Sequence, residues 1–294
     1  AKTTHYVNMK TDFLVLPFYN DLRKTSLYDK AFYNSAPNVH FKVFCPYNEL
    51  LPFKAPLSTV WCDFTVFVRD YYNDTVAEIP STHIKHKIIK KGSEKFIIFE
   101  GGVVNCLDLG SCILPYYIQI GNWFSEWFWV GDTEGMIKFE IGNSQDLLTV
   151  PYSLGFKQYF WINTRFGTSE VDSFKTTVRD ERGNTKTKFQ RLTENFSFYF
   201  FGVPAHMKQV FASFEALEYV TVQGAEQEVI SLEKQTTVKP KRADSNFAIY
   251  EVELTIPSDK QNTLSYCEDS IYEVSSSCLG VENPANGGCI EIST

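Results

Sequence analysis

The sequence predicts an all-β protein. Two β-sandwich or barrel domains are expected, the second with a single packed α-helix and a long β-hairpin, followed by an extended C-terminal tail. Three observations carry this expectation. Aromatic residues make up 16% of the 294-residue chain, with 25 Phe and 16 Tyr, and aromatic side chains are enriched in strands. Short apolar runs bounded by Gly, Pro, Asn and Asp recur along the chain, as strands and turns require. Only one stretch has convincing helical spacing.

The composition, 44% hydrophobic and 21% charged, is globular rather than disordered. The length suffices for two cores of ordinary size. A net charge of −7 argues against a general nucleic-acid-binding surface, which needs an excess of Lys and Arg. No run approaches the roughly 18 uninterrupted apolar residues of a membrane span. No basic region followed by an apolar core occurs at Ala1–Asn20, so no secretory signal is read there. Ala1-Lys2 reads as a start left after removal of an initiator Met, and synthesis in a cytoplasm is expected.

Residues 1–131 are expected to form an immunoglobulin-like sandwich. His40–Cys45, Val60–Arg69, Lys95–Glu100 and Tyr116–Ile120 read as strands. Pro46-Tyr47-Asn48, Tyr72-Asn73-Asp74, Gly101-Gly102 and Gly121-Asn122 read as turns. Trp123–Val130 is expected to be the last strand, and Gly131-Asp132 the junction. Residues 132–257 form the second expected domain. Its strands are Met136–Ile141, Gln158–Arg165, the hairpin arms Ser173–Arg179 and Thr185–Gln190, the aromatic strand Glu194–Gly202, then Tyr219–Gln223, Glu228–Lys234 and Phe247–Ile256. Pro204 suits a helix start. Met207, Val210, Phe211, Phe214 and Leu217 then follow the spacing of an amphipathic helix over about 204–217. Residues 258–294 are polar and read as a tail.

Nothing in the residues points to catalysis. The GxGxxG, HExxH and GxSxG patterns are absent from the sequence. The chain has 35 acidic residues, so Glu126 or Asp132 near the Trp cluster is weak evidence for glycosidase chemistry. His83 and His86 stand three apart, but Lys85 and Lys87 make their segment a poor cation site. The expectation is no metal, no cofactor and no enzyme. The seven cysteines contain no CxxC pair. Cys45 and Cys62 read as buried free thiols. Cys267, Cys278 and Cys289 admit either a disulfide or solvated thiols. Lys85, Lys87, Lys90 and Lys91 form the main positive patch, facing an acidic neighbour or water.

Two regions remain as candidate sites. The first is Tyr116–Val130, where seven of fifteen residues are aromatic and three of the chain's five Trp occur. Strand parity puts Trp123, Trp127 and Trp129 on one face if the strand is unbroken. A shared face favours core packing over a protein interface or a sugar-stacking platform for a host glycan. The second is the hairpin tip, where Arg179, Asp180, Glu181, Arg182, Asn184 and Lys186 flank a Gly-Asn turn. It reads either as a surface loop or as an arm that reaches a neighbouring subunit.

Three linked segments carry a family resemblance: Pro115–Asp132 (PYYIQIGNWFSEWFWVGD), Gly155–Gly167 (GFKQYFWINTRFG) and Lys188–Val222. They resemble structural proteins of tailed phages and prophages of Bacteroidetes, including crAss-like phages. In that family a "G-x-YYL-x-I" strand followed by "W-x-SE-x-F-x-V" closes an N-terminal sandwich. Tyr116, Tyr117 and Ile118 match the first part, and Trp123, Ser125, Glu126, Phe128 and Val130 the second. Phe189, Gln190, Arg191 and Thr193 match an "F-Q-R-x-T" strand that precedes an aromatic strand and one helix. Pro115 stands where a Gly is expected, and the Cys-bearing tail has no counterpart. The resemblance spans roughly residues 40 to 256. It implies a virion component of the tail or neck, forming a homo-oligomeric ring or hub with other tail proteins. It carries over no catalytic residue.

Overall fold

Alternation of apolar and polar residues sets the strands, and turn residues end them. In Thr65–Arg69 the buried residues are Val66 and Val68, with their neighbours half-buried. In Ile137–Gly142 the buried side chains are Ile137, Phe139 and Ile141, one face of a two-residue repeat. Asn48, Asn73 and Gly121 adopt positive φ (58°, 72° and 57°), the left-handed conformation that such turns require.

The computed structural model describes residues 13–27, 41–57, 63–105, 107–110, 114–164, 169–179, 182–224, 227–231, 237–244, 249–258 and 264–265. The first strands are β1 (Phe18–Tyr19), β2 (Phe44–Cys45), β3 (Glu49–Leu50), β4 (Phe53–Pro56), β5 (Thr65–Arg69), β6 (Thr75–Pro80), β7 (His86–Lys91) and β8 (Glu94–Phe99). Then come β9 (Gly102–Val103), β10 (Tyr117–Ile120), β11 (Trp123–Ser125), β12 (Trp129–Val130), β13 (Ile137–Gly142), β14 (Gln158–Ile162), β15 (Ser169–Arg179) and β16 (Thr185–Pro204). The helix α1 (Ala205–Ser213) leads to β17 (Tyr219–Gly224), β18 (Gln227–Ser231), β19 (Thr237–Asp244), β20 (Ile249–Ser258) and β21 (Leu264–Ser265). The protein is all-β in class, with α1 as the one α-helix among the described residues.

The strands pair into sheets of order β1-β11-β10-β5-β6, β12-β2-β14-β13-β17-β18 and β15-β16-β20-β19, with β21 joined to β16. Smaller sheets are β4-β8-β7 and β3-β9. One hydrophobic cluster unites Val66 and Ile118 of the first sheet, Phe53 and Ile97 of β4-β8-β7, Phe139 and Phe160 of the second sheet, and Phe198 and Phe211. Gly131, the expected junction, follows β12 directly, and its N–H donates to the Cys45 carbonyl at 3.2 Å. Strands β2 and β12 lie N-terminal to that position and hydrogen-bond in the same sheet as β13 and β14.

The helix forms where the spacing places it. Met207, Val210 and Phe211 are fully buried, and Phe214 and Leu217 nearly so. The α-helix ends at Ser213, and a 3-10 turn covers Phe214–Ala216. Its apolar stripe packs on the end of β16, where Phe200 stacks on Phe211 with centroids 5.3 Å apart. Phe139 of β13 meets Phe198 edge-on at 6.1 Å.

Two expectations need correction. Trp123–Val130 is not one strand. Ser125 is fully buried, and its hydroxyl accepts the Ile118 N–H at 2.9 Å and donates to the Glu126 carbonyl at 2.7 Å. The chain thereby leaves the first sheet. Phe128 exchanges both backbone bonds with Tyr116, and β12 continues parallel to β2 in the second sheet. Conversely, the second hairpin arm and the aromatic strand, read separately as Thr185–Gln190 and Glu194–Gly202, form the single 20-residue strand β16. No breaking residue separates them: β15 pairs with β16 as far as Phe196, and β20 pairs along its other edge from Glu194 onward.

Candidate functional site

The aromatic tract is placed by the break at Ser125. Trp127 and Trp129 are 6% and 3% exposed and share a cluster with Tyr71 and Tyr117. Trp127 meets the Tyr117 ring edge-on at 4.8 Å, and its Nε1–H donates to Thr25 Oγ1 at 2.9 Å. The indole is thereby held by one polar bond and several ring contacts, the usual state of a buried Trp. Lys42 Nζ stands 5.5 Å from the centre of the Trp129 ring, within cation–π range. Trp123 lies apart from this cluster. It is half-buried in β11 and pairs with Ile120 across the Gly121-Asn122 turn. The three tryptophans therefore do not form one patch.

At the centre of the same tract is a buried carboxylate. Glu126 is 2% exposed. It accepts the Ser26 N–H at 3.1 Å and the Ser26 hydroxyl at 2.8 Å. The Tyr19 hydroxyl also hydrogen-bonds to it. Burial, and then the negative Glu126, push the Tyr19 pKa well above the ordinary phenol range. His206 Nδ1 approaches from α1, 3.7 Å from Glu126 Oε1. Burial lowers the His206 pKa, while the Glu126 charge opposes that shift more weakly.

This grouping of Ser, Glu and His differs from a catalytic triad in the order of its hydrogen bonds. An activated serine donates its proton to an imidazole. Here Ser26 donates to the carboxylate, and His206 Nδ1 stands 3.7 Å from Oε1 of that same group. The arrangement works as a clamp: Glu126 ties β1, the 3-10 turn at Leu22–Lys24 with its following residues, and the start of α1. From sequence alone, Glu126 is only weak evidence for glycosidase chemistry. A Glu inside a run of tryptophans was the available signal for a buried, fully engaged carboxylate.

Beside the clamp is a pocket lined by Ser26, Phe41, Trp127, Trp129, His206 and Met207, among others, with a cavity volume of about 30 Å³. That is room for about two waters, far below the ~300 Å³ of a small-molecule site. Among the described residues no group of three His, Cys, Asp or Glu could hold a metal ion. No helix among them is long and apolar enough to cross a membrane. Cys45 is a buried free thiol, as its apolar strand suggests. Cys62 and the three C-terminal cysteines lie outside the described residues.

The hairpin is exposed along its outer part. Strands β15 and β16 pair antiparallel from Ser169↔Phe196 to Arg179↔Thr185, with a register shift at Thr176/Thr177. Lys175 through Arg179 are exposed in succession, so both faces of the ribbon meet solvent there. Arg182 and Asn184 are exposed at the tip, and Gly183 has φ 79°. Asp180 and Glu181 lie outside the described residues, and for Lys186 only the backbone in β16 is described. Further along β16 the pattern inverts, and Phe196, Phe198 and Phe200 are buried. The arm is thus a direct extension of a core strand.

The lysine segment falls on β7, an outer strand of the β4-β8-β7 sheet. His83 belongs to a 3-10 turn and His86 to β7, where its ring packs edge-on against Phe64 at 4.8 Å. Lys87 bonds Glu100 at 2.6 Å, and Lys85 lies 3.8 Å from the same carboxylate. Lys90 and Lys91 are exposed.

Set against known proteins, this sequence matches no protein-family model and no curated protein.

Proposed function

We propose that this chain is a structural subunit of a phage tail or neck that assembles into a ring through its second half. The observation that supports this reading is the continuity of β16. One strand begins at the exposed tip beside Arg182 and ends among Phe196, Phe198 and Phe200 in the core. A protruding ribbon held only by its own turn is marginally stable. One that shares a strand with the core stays aligned and can pass load from a neighbour into the body. Such arms add strands to adjoining subunits, and head-to-tail contacts of this kind close into rings. The aromatic cluster and the Glu126 clamp then serve as the rigid base of the subunit. The resemblance of Pro115–Asp132 and Lys188–Val222 to phage tail proteins agrees with this use of the fold.

Mass spectrometry of purified particles from the phage or prophage that encodes the chain tests the reading. The chain is expected as a stoichiometric, multi-copy component. Its absence from intact particles contradicts the proposal.

A further inference from the structure

We propose that residues Asp269–Glu273 of the C-terminal tail bind as an added antiparallel strand along the outer edge of β7 in a second copy of this chain. This rests on the assembly reading above and supplies one of its contacts.

The receiving edge has an unusual charge. Among the described residues β8 pairs with one side of β7 and no strand with the other. An open edge offers unpaired N–H and C=O groups to any passing strand. The β7 sequence is His86-Lys87-Ile88-Ile89-Lys90-Lys91, with no acidic residue. Ile88 is 42% exposed. On β8, Lys95 stands directly opposite Lys90, a like-charge pair that repels. Edge lysines deter indiscriminate pairing, and they select a strand that carries acids at matching positions.

The tail carries such a strand. Beyond Lys260 the sequence has Glu268, Asp269, Glu273, Glu282 and Glu291 and no Lys, Arg or His. Asp269-Ser270-Ile271-Tyr272-Glu273 holds β-branched and aromatic residues between two acids. One antiparallel register sets an acid against a lysine at both ends and apolar residues against each other between them. Glu273 meets Lys87, which Glu100 also holds at 2.6 Å, Tyr272 meets Ile88, Ile271 meets Ile89, Ser270 meets Lys90 and Asp269 meets Lys91. Glu268 then falls diagonal to Lys90, within reach of the Lys90–Lys95 repulsion. The parallel alignment instead sets Ser270 against Ile88 and Tyr272 against Lys90.

The point of departure argues for a neighbouring copy. Strand β21 pairs Ser265 with Phe189 and Leu264 with Gln190, on the exposed arm. Phe189 lies seven residues up β16 from buried Phe196, about 23 Å along the strand. Asp269 lies four positions beyond Ser265, a reach of at most ~14 Å. The tail is therefore delivered at the arm, where the proposed ring places the next subunit.

Sedimentation velocity of the full chain at high concentration tests the pairing. Lys91→Glu and Asp269→Lys are each expected to weaken self-association about three- to tenfold. The double variant is expected to return it to within about twofold of the unchanged chain. Ile271→Pro removes a ladder donor without touching the described core, and should weaken association at least about tenfold. Thermal melting confirms that Lys91→Glu remains folded. If the unchanged chain associates and neither the charge swap nor Ile271→Pro alters it, the tail pairing is overturned while the assembly reading stands. If the unchanged chain stays at 33.8 kDa throughout, both are overturned.

Discussion

Single residues fix the base of the molecule, and two of them make sharp predictions. Gly101 has φ 85°, and a Cβ at that position would lie 2.8 Å from Pro52 Cγ and collide with the Tyr159 hydroxyl. Both the backbone conformation and the space exclude a side chain. Gly101→Ala is therefore expected to cost about 1–3 kcal/mol, measured as a lower urea midpoint at unchanged m. His206 makes a prediction about pH. Its folded pKa is held below the unfolded value of about 6.5, so below that pH the unfolded chain binds the extra proton. The stabilisation is complete above about pH 6.5 and is lost as pH falls through the interval down to the folded pKa. Melting temperature should fall between pH 7 and 5, and His206→Gln should flatten that slope. An unchanged slope contradicts the clamp. Neither residue's role was legible in the sequence. Gly101-Gly102 read as a turn, but the approach of Tyr159 comes from a strand 58 positions away. His206 falls inside the expected helix with nothing local to single it out, because its partner Glu126 is 80 positions distant.

At the scale of elements, local pattern was informative where one face is buried and misleading where a buried polar group redirects the chain. The helix was legible because five apolar residues at helical spacing all meet one core. Phe211→Ala should cost about 3–5 kcal/mol, read by denaturation, since its ring stacks on Phe200 inside a fully buried cluster. The hairpin was legible from its Gly-Asn turn. Its merger with the aromatic strand was not, because a strand that passes from solvent to core shows no boundary in composition. The break of Trp123–Val130 was likewise hidden. Parity assumes an unbroken ladder, and the Ser125 hydroxyl replaces a ladder partner without any Gly or Pro to announce it. The arm supplies this scale's functional test. Replacing Thr177–Lys186 by a two-residue turn should leave the melting temperature within a few degrees, because Thr177–Arg179 and Arg182–Thr185 are exposed. It should also abolish self-association in light scattering. Loss of folding would show instead that the arm is part of the core.

The whole molecule combines a continuous aromatic core, a charged arm that grows out of it and a basic sheet edge. At the aromatic tract the polar side chains of Thr25, Ser26, Ser125 and Glu126 hold neighbouring segments together. The fold class followed from composition and alternation, because these reflect burial, which every strand must satisfy. Assembly leaves a weaker imprint, since a surface meant for a partner and one meant for water both carry charge. The central claim is that the arm joins copies into a ring on a phage particle. Electron cryo-microscopy of particles containing the chain tests it most directly. The account predicts several copies around the tail or neck axis, with the Arg179–Lys186 tip of each seated on its neighbour. Copies without mutual contact, or arms projecting into solvent, would contradict it.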